Sequence, residues 1–257
     1  MNSRFLIAAP HSGAGKTTAT LGILRALLRK GFRVQPFKCG PDYIDPIHHR
    51  TAAGRDSINL DRFMMSDAHI HALYNRYCAD ADVSITEGVM GLFDGAKKSE
   101  GSSADLAKQL NLPVILILNA KAMAYSAAAI LYGLKNFDKD LRFAGVLFNF
   151  VDSSSHYQLL RAACEDVGIQ PLGHLPTHPS LRIPSRHLGL DTSDADAAIE
   201  AAADHIEKNI DLENLLSITR TTPLPTNQPP SKPAPQPLPP SRQPRPWNIL
   251  VARDAAF

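Results

Sequence analysis

A short glycine-rich segment near the start of the chain has the residue types that bind phosphate. It reads Ser12-Gly13-Ala14-Gly15-Lys16-Thr17-Thr18. In a P-loop, backbone N–H groups surround the phosphates of a nucleotide, the lysine reaches the β- and γ-phosphate oxygens, and the first threonine hydroxyl binds Mg²⁺. Pro10 stands where the usual motif has its first glycine. The remaining pattern still predicts nucleotide binding by Ser12, Gly13, Ala14, Gly15, Lys16, Thr17 and Thr18.

Two further segments carry acidic side chains. Lys38 precedes a Cys-Gly-Pro turn that is followed by Asp42 and Asp45, and Glu87 begins a loop with three glycines that also holds Asp94. A carboxylate at the mouth of a strand is where a P-loop enzyme needs a second Mg²⁺ ligand or a residue that anchors water. On spacing alone, the three aspartates are equally typical of turn formation. Lys38 is also compatible with a solvated lysine at a strand end.

The elements that must position these loops form an alternating series. Apolar runs predict buried strands at 5–9, 33–37, 83–86, 114–118 and 144–148. Helical spacing of apolar residues predicts a helix at 17–30, and 106–110 is typical of the end of a helix. Residues 195–210 are alanine-rich with charges on one side, which predicts a closing helix. Such alternation indicates an α/β fold with a doubly wound, mostly parallel sheet and helices on both faces. Sites in these sheets lie at the carboxyl ends of the strands, where the P-loop and both acidic loops occur.

The composition changes near the end of the chain. Residues 1–217 are predicted to form one P-loop domain, and 218–246 to form a linker, since 11 of the 24 residues from 223 to 246 are proline. Proline at this density favours an extended, semi-rigid segment. Residues 247–257 include a second apolar run, which predicts the first strand of a truncated domain. The alternative is a disordered tail.

Charge and length exclude several classes of protein. The net charge of +2 over 257 residues, with no basic run, does not indicate nucleic-acid binding. The apolar run before the P-loop is too short for a signal peptide or a membrane span, which predicts a cytoplasmic protein without membrane contact. His48 and His49 are adjacent and do not share a helix face, so no metal site is expected there. The cysteines show no disulfide or zinc spacing and are Cys39, Cys78 and Cys164.

Four segments, taken in order, resemble a known family. They read AAPHSGAGKTT, VQPFKCGPDYIDP, ITEGVMGLFDG and PSRHLGL. This series resembles cobyrinic acid a,c-diamide synthases and the related hydrogenobyrinic acid enzymes over about residues 4–190. The resemblance implies a fold like that of dethiobiotin synthetase. It also implies ATP-dependent amidation of the a and c side-chain carboxylates of a corrin precursor, a tetrapyrrole of cobalamin biosynthesis, through acyl phosphates.

The same resemblance implies roles for individual residues. The catalytic residues would be Lys16, Asp45 and Glu87. The cofactor Mg²⁺, which accompanies the co-substrate ATP, would be bound by Thr17, Asp45 and Glu87. Asn149 resembles an asparagine that reads adenine, although an asparagine after a strand is also a common turn residue. The residues near the substrate carboxylates would be Lys38, Asp42, Tyr43, Asp94, Arg186 and His187. For Arg186 and His187, nucleotide binding or a packed structural pair stays open.

The end of the chain resembles a second part of the same family. NILVARDAAF is similar to the opening strand of its glutamine amidotransferase domain, which would supply ammonia from glutamine. None of the cysteines resembles the glutaminase nucleophile, so this chain is expected to lack glutaminase activity and to use free ammonia. The sequence departs from the family pattern at 191–194, where Asp-Thr-Ser-Asp follows the fourth segment.

Other functions remain compatible with a P-loop. A partition or septum-positioning ATPase shares this fold, but such proteins carry a lysine near the start of the loop and lack a GPDYIDP segment. A nickel-tetrapyrrole diamide synthase or a dethiobiotin-synthetase-like enzyme would keep the chemistry and change the substrate. A homodimer is also compatible with the sequence.

Overall fold

A computed structural model describes residues 2–178, 181 and 192–221. The strands are β1 (Asn2–Ala8), β2 (Val34–Cys39), β3 (Ile58–Leu60), β4 (Val83–Glu87), β5 (Val114–Asn119), β6 (Phe143–Asn149), β7 (Pro171–Leu175) and β8 (Arg220–Thr221). The helices are α1 (Lys16–Arg29), α2 (Asp45–Ala53), α3 (Asp67–Cys78), α4 (Ser103–Gln109), α5 (Ala127–Phe137), α6 (Ser154–Val167), α7 (Thr192–Asn209) and α8 (Leu212–Ile218). Arg186, His187 and the segment from 222 onward lie outside the described residues.

The strands form one sheet in the order β3-β2-β4-β1-β5-β6-β7, and every neighbouring pair in this order is parallel. β8 pairs antiparallel with the start of β1. Because Thr221 lies opposite Asn2, the folded unit continues beyond residue 217 to the end of β8. The predicted doubly wound, mostly parallel sheet is confirmed.

Alternate residues of β1 pack into two separate cores. Phe5 and Ile7 belong to the core formed with α1, α2, α7 and α8, whereas Leu6 and Ala8 belong to the core formed with α3, α4, α5 and α6. Side chains of a strand point alternately to opposite faces, so a continuous apolar run is required where helices cover both sides. The apolar run at the start of the sequence therefore marks the centre of the sheet.

The sequence patterns missed several elements, including the longer helices α3, α5 and α6. Two of the missed elements are short or lack a clear period. β3 has three residues. α2 begins at Asp45 with a proline in its first turn and buries mainly histidines and alanines, so its sequence has no strong apolar stripe. Glu87 was expected just after a strand, and it is the last residue of β4. No helix among the residues described here combines the length and apolar character needed to cross a lipid bilayer.

Helices α1 and α7 pack closely on one face of the sheet. A Cβ atom added to Gly22 would lie 2.7 Å from the carbonyl oxygen of Ala202 and 2.7 Å from Cγ1 of Ile206. Ion pairs at the edge join Arg25 to Asp196 at 2.8 Å. Glycine at position 22 is therefore explained by the approach of a neighbouring backbone, not by turn geometry.

This packing gives a paired prediction. Gly22→Ala is expected to destabilise the protein by about 1–3 kcal/mol, because overpacking outweighs the gain of about 1 kcal/mol from better helix propensity. Gly133 lies in the exposed middle of α5 with no atom within 4 Å of an added Cβ, so Gly133→Ala should stabilise by about 0.5–1 kcal/mol. Urea unfolding of both variants measures the difference. Equal shifts of the same sign would contradict the close approach of the two helices.

Candidate active site

The predicted loops meet in one cleft at the carboxyl edge of the sheet. The cleft has a volume of about 780 Å³ and lies where β1, β2 and β4 end. Residues of the P-loop line the cleft together with Lys38, Asp45 and Glu87. The sheet order explains this meeting, because β4 lies between β1 and β2 and the three strands are parallel. Three segments that are far apart in the sequence thus share one cavity.

The P-loop has the backbone shape that its glycines predict. Gly13 has a φ angle of 78° and Gly15 one of 96°, both in the left-handed region that favours glycine. Gly15 is the N-cap of α1, and no side chain caps the helix there. The free N–H groups and the positive end of the helix dipole are therefore available to an anion in the cleft.

Lys16 lies on the first turn of α1 with its ammonium group enclosed. Its Nζ donates to the carbonyl oxygen of Met90 at 2.6 Å and to that of His11 at 3.4 Å. Burial lowers the pKa of Lys16, and the neighbouring Glu87 carboxylate only partly offsets this effect. Carbonyl oxygens from two loops thus hold a single cation beside the P-loop.

Glu87 is the most enclosed acidic group of the site, with 1% of its surface exposed. Thr17 Oγ1 donates to its Oε1 at 2.6 Å, and His49 Nε2 donates to its Oε2 at 2.7 Å. Burial acts to raise the pKa of Glu87, but the hydrogen bond and charge of His49, together with Lys38 and Thr17, outweigh burial and leave the pKa lowered. Glu87 is therefore held as a carboxylate in direct contact with the P-loop threonine.

No sequence pattern indicated the contact between His49 and Glu87. The adjacent histidines His48 and His49 do not share a helix face. The informative spacing is four residues, because Asp45 and His49 lie on the same face of α2. Both side chains affect Glu87, one through charge and the other through a hydrogen bond.

Lys38 is buried, so the alternative of a solvated lysine is wrong. Only 2% of its surface is exposed, and its Nζ lies 3.4 Å from Asp45 Oδ2, 3.9 Å from Asp42 Oδ2 and 3.3 Å from the carbonyl oxygen of Gly88. A buried ammonium group is stable only beside such partners. The loop after β2 therefore surrounds its own lysine with carboxylates and directs this cluster into the cleft.

Asp42 and Asp94 stabilise their own loops, as the turn-forming alternative expects. Asp42 Oδ1 accepts from the backbone N–H groups of Ile44 at 2.9 Å and Asp45 at 3.1 Å. Asp94 Oδ2 accepts from the N–H of Gly91 at 2.9 Å. Asp42 also lines the cleft, whereas Asp94 and the 67% exposed Tyr43 are not part of its lining.

Asn149 contacts the P-loop from the end of β6. Its Nδ2 donates to the carbonyl oxygen of Ala14 at 2.9 Å, and its Oδ1 accepts from the N–H of Phe150 at 3.0 Å. The P-loop and the end of β6 are so close that a Cβ atom on Gly15 would overlap the side-chain amide of Asn149. Asn149 therefore bonds the next backbone N–H, as the turn-residue alternative expects, and also supports the P-loop through a contact that was not predicted.

The pKa of Asp45 is raised from 3.8 to about 6, first by burial and then by the charge of Glu87. The unfolded chain ionises at the lower value, so this carboxyl makes folding less favourable as pH rises from 3.8 to about 6. We expect the side-chain carbon of Asp45 to titrate by NMR near pH 6. In Glu87→Gln its pKa should fall, because a like charge is removed. An identical midpoint in the variant would contradict this electrostatic coupling.

The sequence matches one known family over most of its length. The CobQ/CobB/MinD/ParA nucleotide binding domain matches residues 5–190. Hydrogenobyrinate a,c-diamide synthase of Brucella anthropi is 48% identical over 219 residues, which cover 83% of this chain and 50% of that protein. The enzyme of the same name from Rhodobacter capsulatus is 44% identical over 259 residues, covering 98% and 57%.

A second named activity occurs among the relatives. Cobyrinate a,c-diamide synthase of Caldanaerobacter subterraneus subsp. tengcongensis is 45% identical over 221 residues, covering 84% of this chain and 49% of that protein. The chain spans about half the length of the curated relatives it matches. Among solved structures, chloroplast FtsY from Physcomitrella patens aligns with 77% of this chain and 65% of that chain, at a TM-score of 0.48 and 15% identity.

Proposed function

The chain belongs to the CobQ/CobB/MinD/ParA nucleotide binding domain family, and from this premise we propose that it uses Mg-ATP to activate side-chain carboxylates of a corrin precursor for amidation. The substrate is cobyrinate or hydrogenobyrinate, since relatives at 44–48% identity are named for these compounds. The observation that carries the proposal is the shared cleft, in which Lys16 and the Thr17–Glu87 pair face Asp45.

The proposed reaction has two steps. A substrate carboxylate oxygen attacks the γ-phosphorus of ATP, ADP leaves, and an acyl phosphate forms. Ammonia then attacks the acyl carbon, and inorganic phosphate leaves with the bond electrons to give the amide. A carboxylate does not form an amide with ammonia at neutral pH without such activation, and phosphoryl transfer depends mainly on positioning and neutralisation of charge.

The chain's own residues supply both requirements. The N–H groups of the P-loop bind the phosphates, and Lys16 neutralises charge on the β- and γ-phosphate oxygens. Lys38 offers a second buried cation in the lining of the cleft, which would meet a substrate carboxylate. Asn149 holds the P-loop through its hydrogen bond to Ala14. We propose that the remaining hydrogen-bonding positions of its side-chain amide contact adenine.

The donor atoms of the site fit Mg²⁺. The Thr17 hydroxyl and Glu87 carboxylate converge at 2.6 Å, and the Asp45 carboxylate lines the same cleft. Oxygen ligands suit this ion, which takes its remaining ligands from phosphates and water. The described residues contain no group of three or more His, Cys, Asp or Glu side chains that could hold a metal ion. When bound, Mg²⁺ would neutralise charge between the β- and γ-phosphates.

Turnover with defined substrates tests the proposal. The protein is incubated with Mg-ATP, ammonium chloride and either cobyrinate or hydrogenobyrinate, so that no glutaminase is needed. We expect ADP release stimulated by the corrinoid, and products whose masses show one and then two carboxyl-to-amide exchanges. A heavy-oxygen label in the substrate carboxylates should appear in inorganic phosphate if an acyl phosphate forms.

Other outcomes would identify other functions. ATP hydrolysis stimulated by DNA or lipid vesicles, but by neither corrinoid, would contradict the proposal and favour a partition-type ATPase. Amidation of a nickel tetrapyrrole alone would retain the chemistry and reject the substrate. Amide formation without transfer of the label would reject the acyl phosphate.

A further inference from the structure

A buried chain of hydrogen bonds extends from the P-loop into helix α2. Thr17 Oγ1 contacts Glu87 Oε1 at 2.6 Å, Glu87 Oε2 contacts His49 Nε2 at 2.7 Å, and His49 Nδ1 contacts Ser57 Oγ at 3.0 Å. His49 has 0% and Glu87 1% of its surface exposed. The three contacts join residues from α1, β4, α2 and the segment between α2 and β3.

From this geometry we propose that His49 is a positioning residue for Glu87 and that it sets the affinity of the site for the metal–nucleotide complex. The inference rests on the proposed function only in requiring that Glu87 contact a nucleotide-bound cation. His49 itself does not line the cleft. It acts through the orientation of the carboxylate.

The chemistry of the two partners fixes which atom carries the hydrogen. A carboxylate only accepts hydrogen bonds, so Nε2 of His49 carries the hydrogen and donates it to Glu87. His49 Nδ1 bonds the hydroxyl of Ser57 at 3.0 Å, and this hydroxyl can donate to a neutral ring or accept from a charged one. In either state Ser57 therefore holds the ring with Nε2 towards Glu87.

The arrangement leaves the two oxygens of Glu87 with different tasks. Oε2 is held by the imidazole, and Oε1 is directed to the Thr17 hydroxyl at the edge of the cleft. Thr17 is itself a cleft residue, so Oε1 lies where a cation shared with phosphates would bind. Hydrogen bonds that orient a ligand carboxylate typically change metal affinity by about 10–100-fold.

A purely structural role for His49 makes a different prediction. A histidine that only satisfies a buried carboxylate affects the stability of the fold, but it leaves the ratio of nucleotide affinities with and without Mg²⁺ unchanged. A positioning residue changes that ratio. The ratio can be measured by calorimetry with a non-hydrolysable ATP analogue, in Mg²⁺ and in chelator.

The expected results are as follows. His49→Ala should bind the analogue in chelator as the unsubstituted protein does, but should lose about tenfold or more of the Mg²⁺-dependent gain. His49→Gln keeps an N–H donor at similar reach and should recover most of that gain. His174→Gln is the matched control, because His174 lies on β7 with its ring stacked on Tyr157 and contacts no part of the cleft. It should leave the ratio unchanged.

An unchanged ratio in a folded His49→Ala protein would overturn the inference. If that variant does not fold, Ser57→Ala decides the matter, because it removes only the distant hydrogen bond and leaves the imidazole in place. A two- to fivefold loss of the Mg²⁺-dependent gain in affinity would support the inference, since a loss of this size corresponds to the free energy of about one neutral hydrogen bond. No loss would overturn it.

The experiment separates this inference from the proposed function. No corrinoid is present, so an incorrect substrate assignment does not affect the result. An unsubstituted protein that binds no nucleotide would contradict both proposals. An unsubstituted protein with an Mg²⁺-dependent gain that His49 and Ser57 do not influence would contradict the positioning role alone.

Discussion

Glu87→Gln is expected to lower ATP-dependent amidation by about 10²–10³-fold, the range found when one preorganised electrostatic group is removed from an active site. The amide keeps the shape of the side chain but removes the negative charge that faces Thr17 and the proposed Mg²⁺. Nucleotide affinity in chelator should stay close to that of the unsubstituted protein, because the P-loop and Lys16 are intact. The measurement is ammonia-dependent product formation beside calorimetric binding of the nucleotide.

A remote carboxylate provides the control for this variant. The Glu165 side chain is 67% exposed and, among the described residues, pairs only with Arg161 of α6 at 3.9 Å, so Glu165→Gln should leave turnover unchanged. Circular dichroism checks that Glu87→Gln is folded, since His49 loses a charged partner in the core. Near-normal amidation by a folded Glu87→Gln protein would show that Glu87 has no part in phosphoryl transfer.

Lys16→Ala is expected to weaken nucleotide binding itself by about 10–100-fold, since hydrogen bonds to charged groups contribute about 1.5–3 kcal/mol. The ammonium group is enclosed beside the P-loop, where its charge is less screened than at the surface. Its loss should reduce affinity both with and without Mg²⁺, unlike the loss of Glu87. Calorimetry with a non-hydrolysable ATP analogue measures both conditions.

Lys30→Ala is the matched control on the same helix. Lys30 is exposed at the opposite end of α1, away from the cleft, and its removal should leave nucleotide affinity unchanged. Equal affinities for Lys16→Ala and Lys30→Ala would contradict the assignment of the phosphate site to this loop. Together with Glu87→Gln, the comparison separates a residue that binds phosphate from one that acts through the metal.

The parts of the site that sequence patterns predicted are those encoded locally. The turns at Gly13 and Gly15 require left-handed backbone, and glycine supplies it at the spacing of a P-loop. Likewise, the apolar run of β1 is sufficient to predict a strand covered on both faces. Such patterns also predict that the P-loop and the acidic loops lie at one edge of the sheet, because parallel strands end together.

The partners of each side chain were not encoded locally. Thr17 and Glu87 are 70 residues apart, His49 and Glu87 are 38 apart, and Asn149 reaches Ala14 across 135 residues. Their contacts depend on the strand order, in which β4 lies between β1 and β2. No period or motif within a short window contains that order.

The sequence by itself thus determined the kinds of loop, the chemistry they offer and the sheet edge they share. Only the tertiary structure decided that Lys38 is buried among carboxylates, that His49 holds Glu87, and that Asp42 also stabilises its own turn. The physical reason is that backbone conformation and strand burial follow from neighbouring residues. Burial and hydrogen bonding of a polar side chain instead depend on which distant segments pack against it.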